Sequence, residues 1–182
     1  MSNKKHYIIT SITLGAIAAV AAGVIGLTNL ATEKRIKENE LKRIQNGISE
    51  IFGENAEIVE EFKISDSHYQ YVVYGYKIKN SEETSDKYAL RTCGYNMYGK
   101  VSLLVGVEEK DSGEFDFKRL TVVVNEQTYA STLEDEYIDP LNKAEEIDDV
   151  DVECGATYGA KLVRDMVNET VSYANTVLKD GE

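Results

Sequence analysis

An uncharged segment near the N-terminus constrains the fold of this chain more than any other feature. Residues 7–30 carry no charged side chain. A helix of that length spans about 36 Å, which exceeds the hydrocarbon core of a bilayer, about 30 Å thick. A cleaved signal peptide is the alternative, but the apolar run is longer than a usual signal core. We therefore predict an uncleaved anchor in residues 1–31.

The flanking charges predict the orientation of this anchor in the lipid bilayer. Lys4 and Lys5 precede the span, and the positive-inside rule then places the N-terminus in the cytoplasm. Lys34, Arg35 and Lys37 follow it, interleaved with glutamates. Because the first flank usually dominates, we expect a single-pass protein of the cell membrane whose C-terminal domain is extracytoplasmic.

The rest of the chain is acidic. The formal net charge is −12, and residues 51–182 hold 28 acidic and 13 basic side chains. A domain with this charge repels phosphate backbones, so nucleic acid is excluded as a partner. Apolar residues make up 42% and charged residues 29% of the chain, as in ordinary globular proteins.

Hydrophobic periodicity predicts an α+β domain behind the anchor. An apolar stripe that includes Ile36, Leu41 and Ile48 predicts an amphipathic linking helix in residues 32–54, ended by Gly53. Alternation then predicts successive strands, with a hairpin turn at Asp111–Gly113. The predicted strands are Glu57–Ile64, Tyr69–Lys79, Lys87–Thr92, Lys100–Glu108 and Phe117–Val124. Since no helix separates them, we predict an antiparallel sheet flanked by helices in residues 55–182.

Helical patterns return towards the C-terminus. Ser131 is a candidate cap for a short helix that is interrupted near Pro140, and a longer helix is expected over Thr157–Leu178. The acidic stretch Glu134–Glu153 lies between them. Calcium binding by its aspartates is conceivable, but their spacing favours a solvated surface.

Signatures of catalysis and of metal binding are absent from the sequence. It contains no Walker-type GK[ST], GxGxxG, HExxH or GxSxG motif, and its two histidines are His6 and His68. We therefore predict no catalytic residue and no metal site. Cys93 and Cys154 could pair outside the cytoplasm or remain free, and the sequence leaves both possibilities open.

Four residues at the start of the last helix are the most informative segment. Cys154, Gly155, Ala156 and Thr157 combine a glycine that permits close approach to the backbone with a hydroxyl at a helix N-terminus. The exposed N–H groups and the positive end of the helix dipole suit a phosphate. The physical argument leaves two readings open, an anion site and a plain helix cap.

Together with Asp151, these residues resemble a flavinylation motif, Asp-x-x-Ser/Thr-Gly-Ala-Thr. The motif belongs to the FMN-binding domain family, which includes the G subunit of the Rnf ion-translocating electron transport complex and the C subunit of the sodium-pumping NADH:quinone oxidoreductase. The resemblance implies that a flavin transferase joins FMN through its phosphate to Thr157. It also implies that Gly155 and Ala156 bind the phosphate.

The resemblance extends along nearly the whole chain. The length and the single anchor resemble the Rnf G subunit more than the longer quinone-reductase subunit. It implies a ring pocket formed by Gly94, Tyr95, Thr128 and Leu133. Two positions depart from the family pattern, because Cys154 and Gly159 stand where serine or threonine is usual. The stretch Glu126–Leu133 also differs from the family's Glu-Thr-Pro-Gly-Leu pattern.

Three hypotheses about function follow. The first is an anchored flavoprotein electron carrier with covalent FMN, acting with other membrane subunits of an Rnf-like ferredoxin/NAD complex that translocates ions. The second is a flavinylated carrier that serves a separate reductase or an extracellular electron route. The third is an anchored interaction domain without redox chemistry, in which residues 154–157 only cap a helix.

Overall fold

The computed structural model describes residues 2–80 and 85–179. The helices are α1 Ser2–Phe52, α2 Ala130–Leu133, α3 Asp139–Leu141 and α4 Thr157–Tyr173. A π-helical turn, Glu134–Ile138, joins α2 to α3, and a second π-helical turn, Ala174–Leu178, follows α4. A 3₁₀ turn lies at Ile147–Asp149. The strands are β1 Ala56–Lys63, β2 Val72–Asn80, β3 Lys87–Asn96, β4 Gly99–Glu109 and β5 Phe115–Asn125. Two compact units result, residues 1–42 and 43–182.

The first unit contains a helix that is long and apolar enough to cross a membrane. Among the described residues, this is the single such helix, and it covers His6–Asn29 with a mean hydropathy of 2.3. Its large apolar side chains are exposed, as lipid contact requires; Leu14 is 69% exposed and Leu27 is 71% exposed. The segment fits a single-pass membrane protein, as the composition predicts.

The last ten residues of α1 pack on one face of the sheet. Ile44, Ile48 and Ile51 are buried there against side chains such as Leu104 and Val123. Gly53 ends the helix with a φ of +96° and donates its N–H to Ser49 O, which confirms the predicted stop.

The predicted apolar stripe of the linking helix is buried only in part. Ile36 and Leu41 are 62% and 54% exposed. They belong to the first unit, whereas burial of the stripe begins at Ile44 in the second unit. Periodicity identified the helix correctly, but it did not show which turns of the stripe contact the sheet.

The second unit is built on a five-stranded antiparallel sheet in the order β1-β2-β3-β4-β5. Short turns join the last three strands: a turn at Met97–Tyr98 links β3 and β4, and the predicted turn at Asp111–Gly113 links β4 and β5. Glycine at 113 adopts a φ of +73° there. The predicted α+β class and antiparallel sheet are therefore confirmed.

Helix α4 and the α2–α3 segment cover the opposite face of the sheet. Leu103 and Val105 of β4 pack there against Val163 and Met166 of α4, while Leu104 points to α1. Because both faces are covered, every residue of β4 from Val101 to Val107 is buried.

The local ends of the C-terminal helices differ from the prediction in one respect. Tyr129, not Ser131, precedes α2, and no side chain caps that helix. Pro140 is the second residue of α3, and the backbone is helical on both sides of it, at Ile138 and at Asn142. Helix α4 begins at Thr157, as predicted.

Candidate functional site

A cleft of about 310 Å³ opens at one end of the sheet, beside the start of α4. Three segments form its walls: the β3–β4 turn, the chain that leaves β5, and the first residues of α4. The lining residues are Tyr98, Gln127, Tyr129, Gly155, Ala156, Thr157, Tyr158 and Gly159. The volume falls within the range of about 300–1,000 Å³ that is usual for small-molecule sites.

Thr157 places a half-buried hydroxyl on the cleft wall. Its Oγ1 donates to Cys154 O at 2.7 Å, and its backbone N–H donates to the same carbonyl at 3.2 Å. Esterification of Oγ1 would remove the hydroxyl proton and the first of these bonds. The Cys154 carbonyl would still accept the hydrogen bond from the Thr157 backbone N–H. Esterification of Thr157 would therefore leave no buried acceptor unpaired.

The N-terminus of α4 opens into the cleft without a side-chain cap. Ala156 occupies the cap position and makes no side-chain hydrogen bond there. The first N–H groups of a helix lack intrahelical partners, and together with the helix dipole they attract an anion. This end of α4 is therefore suited to a phosphate.

A carboxylate already occupies one of the nearby backbone donors. Gly155 N–H donates to Glu136 Oε2 at 2.8 Å. A Cβ on Gly155 would lie 2.8 Å from Thr132 Cγ2 and 3.2 Å from Glu136 Oε2, so the position is tight for any larger residue. An anion that used Gly155 N–H would have to displace Glu136 and would be repelled by its charge.

Three tyrosine rings flank the cleft. The Tyr98 ring lies 5.9 Å from that of Tyr129 and 5.8 Å from that of Tyr158, measured between centroids. Tyr129 and Tyr158 are 52% and 59% exposed, which is unusual for aromatic side chains that serve only as core. The rings offer surfaces on which a planar aromatic ligand can stack.

A hydrogen-bond network joins the three walls of the cleft. Asn96 Oδ1 accepts from Tyr98 N–H at 2.8 Å, and Asn96 Nδ2 donates to Tyr158 O at 3.2 Å. Gln127 Nε2 donates to Asn96 Oδ1 at 2.9 Å and to Gly99 O at 2.6 Å. Two side-chain amides thus tie the β3–β4 turn both to the segment after β5 and to α4.

The predicted site residues lie at different distances from this cleft. Thr157, Gly155 and Ala156 line it. Cys154 is half-buried at its base, where it packs against the core and supplies the carbonyl that binds Thr157. Thr128 is exposed between two lining residues, and its N–H donates to Tyr98 O at 3.0 Å.

The remaining three predicted residues contact other parts of the domain. Leu133 is fully buried, and its methyl groups pack beneath Gly159. Gly94 is buried under α4, where a Cβ would lie 2.8 Å from Leu162 Cδ1. Tyr95 is 69% exposed, and its ring faces Lys100 Nζ at 5.8 Å.

Sequence reasoning did not identify four of the residues that line the cleft: Tyr98, Gln127, Tyr129 and Tyr158. The twelve tyrosines offered too many candidates for stacking, and strand patterns account for most of them. Tyr98 and Tyr129 lie outside all of the predicted strands. That position was the available signal, because aromatic residues at loops are rarely needed for the core.

The described residues form neither a metal site nor a disulfide. Within residues 2–80 and 85–179, no group of three or more His, Cys, Asp or Glu side chains could hold a metal ion. Cys93 and Cys154 are free thiols, and both are half-buried.

Comparison with known protein families gives a match at the N-terminus. Residues 1–51 match the family model described as the RnfG N-terminal region, which corresponds to the membrane-span segment and the rest of α1. The match supports an RnfG-like protein and does not extend to the cleft residues. Neither the curated proteins nor the solved structures give a match to this chain.

Proposed function

We propose that this RnfG-like protein is a membrane-anchored flavoprotein that carries electrons through FMN attached by a phosphoester to Thr157. It would act as the G-type subunit of an Rnf-like complex, beside other membrane subunits. The observation that carries the proposal is the position of Thr157, which lies at a helix N-terminus without a side-chain cap and lines a cleft together with three tyrosines.

The residues of the cleft fit the parts of FMN. The uncapped end of α4 suits the phosphate, and Thr157 supplies the oxygen for the ester bond. Tyr98, Tyr129 and Tyr158 supply stacking surfaces for the ring system. None of the lining residues carries a charged side chain, and the nearby charge that opposes the phosphate is that of Glu136 on Gly155 N–H.

When bound, FMN can accept two electrons and release them singly. The protein's contribution is to hold and orient the group. The ester at Thr157 would prevent its loss outside the cell, and Thr157 would take no other part in turnover. Gly155 N–H would add a donor for the phosphate once Glu136 moves away from it.

We also propose that the N-terminus is cytoplasmic and that residues 43–182 are extracytoplasmic. Lys4 and Lys5 before the span support this orientation. A flavin transferase that acts on Thr157 would then have to work on the extracytoplasmic side. Protease digestion of intact cells would test the orientation, because it should cleave the C-terminal domain only if that domain is outside.

In-gel flavin fluorescence after denaturing electrophoresis tests the attachment. The full-length chain is produced together with a flavin transferase, with the Thr157→Ala and Thr132→Ala variants in parallel. We expect a fluorescent band for the wild-type chain and for Thr132→Ala, and no band for Thr157→Ala.

Thr132→Ala is the matched control, because Thr132 lies beside Gly155 and also carries a hydroxyl. Fluorescence that persists in Thr157→Ala would refute the attachment site. A wild-type chain without fluorescence, produced with a transferase that labels another substrate, would refute covalent flavin and favour an interaction domain.

A further inference from the structure

One polar atom on the cleft wall has a fixed orientation and no partner within the protein. Gln127 is 8% exposed and lines the cleft. Its Oε1 keeps some contact with solvent, so this oxygen is open to the cleft. An amide oxygen in that position can accept a hydrogen bond from a ligand that fills the cleft. The structure records no donor to Gln127 Oε1 among residues 2–80 and 85–179.

Backbone groups determine which end of the Gln127 amide faces the cleft. Tyr98 N–H can only donate, so the Asn96 atom that it contacts is the oxygen Oδ1. Gly99 O can only accept. Gln127 must therefore present its nitrogen to both Asn96 Oδ1 and Gly99 O, and its oxygen is forced to the other side.

On that other side lies the first turn of α4. Gln127 Oε1 is 3.4 Å from the position that a Cβ on Gly159 would occupy. Because residue 159 is glycine, no side chain covers the oxygen from the direction of the helix. Gly159 is two residues after Thr157, so the open acceptor and the attachment hydroxyl belong to the same small part of the cleft.

We propose that Gln127 Oε1 accepts a hydrogen bond from a hydroxyl group on the ribityl chain of the bound flavin. The inference rests on the proposed attachment of FMN at Thr157. In FMN the ribityl chain follows the phosphate directly and carries several hydroxyl donors, whereas the ring lies beyond it. An acceptor beside the attachment residue therefore meets the chain before it meets the ring.

The contact gives Gln127 a positioning role that is separate from covalent attachment. The ester fixes one end of the ligand, but the chain beyond it can rotate about several single bonds. A second contact from a rigid acceptor would restrict this rotation and would set the direction in which the ring leaves Thr157.

The first experiment compares flavinylated full-length wild-type chain with Gln127→Met, and uses Gln70→Met as the matched control. Methionine keeps the length of the side chain and lacks the amide, and Gln70 is an exposed glutamine outside the cleft. Visible circular dichroism of the flavin and the rise in Tm on flavinylation are measured for each variant.

We expect both variants to carry covalent flavin. In Gln127→Met the visible dichroism should weaken, and the rise in Tm should be smaller by about 3 °C. A purely structural role would lower the Tm of the apoprotein and of the flavinylated protein equally. An unchanged dichroism and an unchanged rise in Tm would overturn the proposal.

A second measurement does not depend on the folding of a variant. Wild-type apoprotein is titrated with free riboflavin, which has the ribityl hydroxyls, and with lumiflavin, which lacks them. One neutral hydrogen bond corresponds to about a fivefold preference for riboflavin. A preference below twofold, or failure of both to bind, would overturn the proposal.

The two proposals fail in distinguishable ways. Absence of a covalent band at Thr157 refutes the attachment, whatever the preference for riboflavin. A wild-type band at Thr157 without a riboflavin preference refutes the role of Gln127 alone.

Discussion

Substitution of Gly99 by alanine should strongly destabilise the domain, because two backbones meet at this glycine. Gly99 has a φ of +136°, and a Cβ there would lie 2.1 Å from Glu126 O and 2.7 Å from Glu126 C. Real Cβ atoms essentially never approach another atom within 3.0 Å. One backbone would have to move by roughly 1 Å to relieve the overlap.

The expected loss has two sources. An alanine at this φ costs about 1–3 kcal/mol through backbone strain alone. Separation of the two segments also weakens three hydrogen bonds: Gln127 Nε2 to Gly99 O, Glu126 N–H to Lys100 O, and Thr128 N–H to Tyr98 O. Each bond contributes about 1 kcal/mol, so with all three bonds lost the free energy of unfolding should fall by about 4–6 kcal/mol.

The Gly113→Ala variant is the control, because it introduces backbone strain without bringing two backbones into contact. Gly113 also has a positive φ, +73°, but the nearest atom to its Cβ position is a flexible carboxylate oxygen at 3.8 Å. We expect this variant to lose about 1 kcal/mol. Urea unfolding of the full-length chain in detergent, followed by tyrosine fluorescence, measures both losses. If Gly99→Ala loses no more than Gly113→Ala, the close approach is relieved elsewhere and the reasoning is wrong.

Two further predictions concern charged side chains. Burial raises the pKa of Glu108, but hydrogen bonds from Lys118 and Lys87 outweigh burial and hold the pKa below its ordinary value of 4.5. This stabilisation is present above pH 4.5 and is lost as the pH falls through the lowered pKa. The urea midpoint of unfolding should therefore drop in acid, and it should drop less steeply in the Glu108→Gln variant. Equal pH dependence of the midpoint in the two proteins would contradict this prediction. In the second, Glu136→Gln keeps an acceptor for Gly155 N–H and removes the charge that opposes a phosphate. Flavinylation should become about two- to fivefold faster in a fluorescence time course, and an unchanged rate would show that this charge does not act on the phosphate.

Most of the fold could be predicted because its signals are local. The alternation in Lys100–Glu108 identified β4 to within one residue at each end, and the turn at Asp111–Gly113 marked its connection to β5. The course of α1 was predicted as an anchor and a linking helix, and both are helical. Burial of Ile44 but not of Ile36 could not be predicted, since it depends on where the sheet ends and not on the helix period.

Only those site residues that lie together in one segment of the chain could be predicted from the sequence. Gly155, Ala156 and Thr157 are consecutive, so a motif could identify them. Tyr98 and Gln127 come from segments 59 and 30 residues before Thr157 in the chain, and only the pairing of β3, β4 and β5 brings them to α4. No local pattern contains that information.

The departure from the family motif at Gly159 has a structural explanation in this cleft. A Cβ at this position would lie 3.0 Å from Leu133 Cδ2 and 3.4 Å from Gln127 Oε1. A serine or threonine would therefore press on a fully buried leucine and would cover the open acceptor. Glycine at 159 thus leaves Gln127 Oε1 open on the side of α4. Gly159 therefore lines the cleft together with three residues that preserve the motif: Gly155, Ala156 and Thr157.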